Sequence, residues 1–250
     1  MLQNHKLSYL ATLALLFLLP IFFIPGATLN LDVAKLTFFV LATVIIVLVF
    51  LLETWREGKL SIPWHLFLAS AGLLPLVYLL SAYLATPTSL SLFGYNFEVG
   101  TFGFIFLVSI ILHLVSIIFS ETSRALQALL AFFAAISLVA LLIAIKIIFG
   151  GDVLVLGNFS GNMGNPIGNW TDLAVSFSLL SVFSAFSLGV VSMKLPVRIL
   201  VYVVFVIATA LLILINFAPA LALTLSSSIF LVFYFSKIEK RFVSKSFIKQ

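Results

Sequence analysis

Apolar residues fall into eight long runs separated by short polar breaks, at residues 7–24, 34–52, 64–84, 101–119, 126–149, 172–191, 198–217 and 219–236. A helix rises about 1.5 Å per residue, so roughly 20 apolar residues cross a hydrocarbon core about 30 Å thick. Strands of a membrane barrel would alternate apolar with polar residues over about ten positions, whereas these runs are apolar all round for nearly twice that length. The pattern therefore predicts an all-α, polytopic bundle of about eight transmembrane helices. It also predicts one transmembrane domain over residues 1–236 and a basic cytoplasmic tail over 237–250. The first run follows Lys6 and is read as an anchor: it exceeds a typical signal-peptide core, and Pro25-Gly26-Ala27 makes a poor cleavage site.

Composition agrees with this reading. The chain has 250 residues, 63% apolar and 8% charged, against about half and a quarter in a soluble domain. Such a balance excludes a disordered tail, a coiled coil and a free nucleic-acid-binding domain, so the bilayer is the expected partner and nucleic acid is not. The absence of cysteine removes disulfides, thiolate metal sites and cysteine nucleophiles.

The net charge of +5 matters through its distribution. In an eight-pass arrangement Lys6, Arg56, Lys59, Arg124, Lys194, Arg198 and the tail residues Lys237, Lys240, Arg241, Lys245 and Lys249 fall on one side. The other side carries only Lys35 and Lys146 as cations, together with Asp32, Glu98, Asp152 and Asp172. Lysine and arginine flanking a span are retained in the cytoplasm, which predicts that both termini are cytoplasmic.

Two longer loops then lie outside. The first, residues 85–100, reads ATPTSLSLFGYNFEVG; the second, 150–171, reads GGDVLVLGNFSGNMGNPIGNWT. Glycine and asparagine recur in the second, and both accept left-handed backbone angles and present amide donors suited to a sugar or phosphate. No Gly-Lys-Ser or Gly-Lys-Thr follows, so this is not a P-loop. Asn169 or Thr171 is placed to cap the sixth apolar helix, with Asp172 in its first turn opposite the positive helix end. Asn158-Phe-Ser and Asn169-Trp-Thr match the short glycosylation pattern, which carries little weight in so asparagine-rich a stretch.

The remaining polar residues offer little chemistry. His5, His65 and His113 do not converge, so no metal is expected, and no cofactor. His113 lies within an apolar run, where an ionisable group is a functional candidate, with Pro75 a break in the run before it. Lys146, one turn from a helix end, is expected to extend its ammonium to the interface. Ser181, Ala185 and Gly189 recur every four residues and would let a neighbouring helix approach closely.

Three places in the chain resemble the N-terminal half of the O-antigen ligase and polymerase family of bacterial membrane glycosyltransferases. They are Lys35 in LDVAKLTFF, the serine-rich stretch from Ser89 to Tyr95, and Gly164-Asn165-Pro166 before an apolar run. Members typically have ten to twelve spans, a large outward loop with arginines and a histidine, and an arginine before the Gly-Asn-Pro segment. Here Val153 to Met163 contains no arginine and the sequence ends at Gln250, the pattern of a truncated member.

The resemblance implies a multi-pass protein of the bacterial inner membrane that binds or transfers polyprenyl-diphosphate-linked glycans on the outer face. Lys35, Lys146, Gly164, Asn165, Asn169 and Asp172 are the candidate substrate-binding residues. A leaving diphosphate requires cationic or amide donors, which these can supply; an acceptor hydroxyl requires a base, for which no residue stands out. Catalysis thus stays open. A lipid or small-solute transporter, or a non-enzymatic subunit of an envelope assembly complex acting with a second membrane subunit, are the rival expectations.

Overall fold

The computed structural model describes residues 5–24, 31–58, 66–95, 98–150, 164–191 and 193–247. Pro25-Gly26-Ala27, Lys59, His65, Asp152, the Asn158 glycosylation pattern and Lys249 lie outside the described residues.

Among the described residues there are nine helices and no strand: α1 Lys6–Ile21, α2 Leu31–Glu57, α3 Leu66–Leu84, α4 Thr88–Phe93, α5 Phe102–Ile118, α6 Thr122–Phe149, α7 Trp170–Val190, α8 Leu195–Ile215 and α9 Ala218–Phe247. Each of the eight apolar runs falls on one of them. The additional helix, α4, forms within the first loop and ends at Gly94, whose φ of +64° suits glycine. Five helices are long and apolar enough to cross a membrane: α2, α6, α7, α8 and Ala218–Phe235 of α9. Apolar stretches of 16–17 residues mark α1, α3 and α5. The protein is a multi-pass α-helical membrane protein, and many of its leucines, among them Leu74, Leu80 and Leu214, present exposed side chains suited to lipid.

The described residues gather into two compact units, one up to Phe132 and the other from Phe133 onward. In the first, Leu15 of α1, Ile46 and Phe50 of α2, and Leu114, Ile118 and Phe119 at the end of α5 form a buried cluster. Two charged residues of α2 fix the ends of α1. Glu53 accepts the backbone N–H groups of Leu7 and Ser8 at 2.8 and 3.2 Å and the Ser8 hydroxyl. At the other end Lys35 Nζ donates to the Pro20 carbonyl at 3.2 Å. An anion at the positive end of a helix and a cation at its negative end both complement the macrodipole.

The second unit is organised around α7. Its residues Leu173, Ala174, Phe177, Ser178, Leu180, Ser181, Ser184 and Ser187 are buried, and α8 and α9 pack against it. Asn216, at φ +53°, closes α8 in the left-handed conformation that asparagine tolerates and turns the chain into α9. The Ser178 and Thr224 hydroxyls share the Ala220 carbonyl at 3.1 and 2.9 Å and lie 2.7 Å apart. Thr209 of α8 sits 3.2 Å from Ser181 Oγ. Hydroxyl bonds of this kind join helices where apolar surface gives no preference for protein over lipid. The expected small-residue stripe serves both neighbours: Ser181 meets α8, whereas Gly189 lies so close to the Phe235 ring of α9 that a Cβ there would come within 2.3 Å of Cζ.

Candidate functional site

Lys146 departs from expectation. Its side chain is 2% exposed instead of reaching the interface. The cause is helical register: Ala135, Ile136, Val139, Ala140, Ile143 and Lys146 form a single buried stripe along α6, and Lys146 falls one turn beyond Ile143 on that stripe. Distance from the helix end suggested snorkelling; the face it occupies prevents it. A buried ammonium requires an acceptor, and Nζ donates to the Gly164 carbonyl at 3.0 Å.

That bond brings together residues 18 positions apart and joins the candidate cation to the Gly-Asn-Pro segment. The segment is itself tightly folded. Asn165, 5% exposed, accepts the Ile167 and Gly168 N–H groups on Oδ1 at 3.1 and 2.9 Å and donates from Nδ2 to the Gly168 carbonyl at 3.0 Å. This is an Asx turn, a backbone turn closed by a side chain. It holds Gly168 at φ +119°, where a Cβ is disfavoured.

Asn169 follows at the N-cap position of α7 and makes no side-chain capping bond. Thr171 lies inside the helix, which begins at Trp170. Asn169, Trp170, Thr171 and Asp172 are all exposed, and Asp172 occupies the first turn as expected. A buried cation, an ordered turn and an exposed polar helix start thus follow one another between Lys146 and Asp172. The exposed Asn169 amide and Thr171 hydroxyl can offer donors to an oxygen-rich ligand, while the Lys146 ammonium and the Asn165 amide are bonded within the segment.

Lys35 belongs to the other unit, where its bond to Pro20 fixes α1. The same unit contains polar chemistry that the sequence placed only in part. Pro75 lies within α3 and has no N–H for the Ala71 carbonyl four residues earlier. Ser109 of α5 turns its hydroxyl to that carbonyl at 3.4 Å. One turn on, His113 Nδ1 lies 2.7 Å from the Ser109 carbonyl, an acceptor to which that nitrogen can only donate. A Cβ at Gly72 would approach His113 Nε2 within 3.3 Å, so the glycine leaves the notch that the ring enters.

His5 and Glu53 were not singled out from sequence. His5 is 1% exposed, and its Nδ1 lies 3.6 Å from Glu53 Oε2. Only the proximity of α1 to the last turns of α2 brings them together. Among the described residues no group of three or more His, Cys, Asp or Glu could hold a metal ion. Comparison with known proteins yields no matching family model, no matching curated sequence and no matching solved structure.

Proposed function

We propose that this membrane protein binds a polyprenyl-diphosphate-linked glycan at Lys146 and residues 164–172, on the outer face of a bacterial inner membrane, in the manner of the family it resembles. The observation that carries the reading is the Lys146 bond to Gly164: a candidate cation and a candidate loop, far apart in the chain, are joined directly. A diphosphate is a dense acceptor of hydrogen bonds, and an ammonium beside an ordered glycine and asparagine turn is suited to it. Eight membrane crossings with both termini cytoplasmic would put the segment outside. That topology is supported by the eight apolar helical runs and by the one-sided distribution of lysine and arginine. Cysteines introduced at positions 90 and 160 should then be labelled from the same, outer side.

The binding test uses the full chain in phospholipid nanodiscs. Saturable binding of polyprenyl diphosphate is expected, with polyprenyl monophosphate weaker and inorganic diphosphate weakest. Lys146→Met should reduce affinity at least tenfold, roughly the loss of one charge-assisted bond. Absence of saturable binding, or a Lys146→Met protein that binds as well as the parent, refutes the reading.

A transport reading draws on one observation of its own, the Pro75 break with Ser109 and His113 beside it. Carriers place ionisable groups near interrupted helices within the membrane. Solute flux in proteoliposomes that is lost on His113→Ala would favour it.

A further inference from the structure

We infer that His5 and Glu53 form a proton-operated latch on the first turn of α1. Glu53 acts from another helix as the N-cap that α1 does not provide for itself. His5 holds the N-cap position without a side-chain capping bond, and the Glu53 carboxylate takes the Leu7 and Ser8 amides, two of the donors a helix start leaves unpaired. The His5 ring is buried beside it, 4.9 Å from the Phe50 ring. Among the described residues neither ring nitrogen has a hydrogen-bond partner, although Nδ1 is only 3.6 Å from Glu53 Oε2.

A buried imidazole with two unsatisfied nitrogens is costly, and a carboxylate at this distance is the acceptor that an imidazolium N–H requires. Proton uptake by His5 turns a near contact into a charge-assisted bond and ties α1 more firmly to α2. Loss of the proton returns the ring to its unsatisfied state and leaves Glu53 holding the helix alone. The balance of charge around the pair permits this. On α2 the groups are Glu53, Arg56 and Glu57, and on α1 they are Lys6 and Tyr9. Arg124 is engaged with Glu121 at 3.5 Å and with the Tyr9 ring. The only titratable group of α5 is His113, two turns before Phe119. A histidine gains its positive charge on acidification, so the latch tightens as pH falls and loosens as it rises.

The test is residue-resolved amide hydrogen exchange on the full chain in nanodiscs from about pH 8 to about pH 5.5, corrected for the intrinsic rate. Protection at Leu7 and Ser8 should rise several-fold towards the acid end in the parent protein, while the centre of α8 stays constant. His5→Gln should abolish the pH dependence, and Glu53→Gln should lower protection at every pH. Flat protection in the parent refutes the latch even if neither variant folds. A His5→Gln protein with the parent's pH profile refutes it too.

Discussion

Lys146→Met is the most informative substitution, because it removes the ammonium and keeps an apolar stem of similar length in the buried stripe of α6. Two opposing terms then largely cancel in global stability. Burying a charged group costs several kcal/mol, and its bond to Gly164 returns part of that. Local opening of the 164–168 turn has no such cancellation. A hydrogen bond to a charged group is worth about 1.5 to 3 kcal/mol. At about 1.36 kcal/mol per tenfold change, its loss should raise the opening equilibrium of the turn roughly 10- to 150-fold. The Ile167 and Gly168 amides, both held by Asn165 Oδ1, are the reporters. Their hydrogen exchange should accelerate by that factor in Lys146→Met, while Phe177 and Leu180, buried in the middle of α7, keep the parent rate. Unchanged exchange at Ile167 and Gly168 would mean that the ammonium does not restrain the turn. Equal acceleration throughout α7 would indicate global destabilisation instead. Either result refutes the account of Lys146 as the anchor of that segment.

Two further pairs of substitutions examine the packing that supports the site. Gly189→Ala should destabilise the second unit by about 1 to 3 kcal/mol, the usual cost of overpacking, because the new Cβ overlaps the Phe235 ring; adding Phe235→Ala should recover most of it in thermal denaturation of the purified protein. Ser178→Ala should cost about 0.6 kcal/mol and at most about 1.7, the range measured for hydroxyl bonds between membrane helices, read as a lowered unfolding midpoint in mixed micelles; Ser176→Ala, on the exposed Asp172 carbonyl side of α7, should leave the midpoint close to the parent value.

Membrane character and the placement of the helices were legible in the sequence, because continuous apolar runs of span length have no other stable outcome in a chain this poor in charge. The turn at Gly164 to Gly168 and the exposed start of α7 with Asp172 were legible too, since asparagine, proline and glycine act through local backbone geometry. Apart from the small-residue stripe of α7, the side chains that hold helices together were not. Nothing in sequence spacing sends Glu53 to the first turn of α1, Lys35 to its last, or Ser109 to the carbonyl that Pro75 leaves without a partner. Lys146 illustrates the boundary. Its position near a helix end was plain, and the stripe from Ala135 through Val139 and Ile143 to Lys146 was available as a signal of burial, but its acceptor, the Gly164 carbonyl, was not. Hydropathy is a property of each segment taken alone and survives in the sequence. A hydrogen bond between distant segments depends on which faces meet, and only the folded chain decides that.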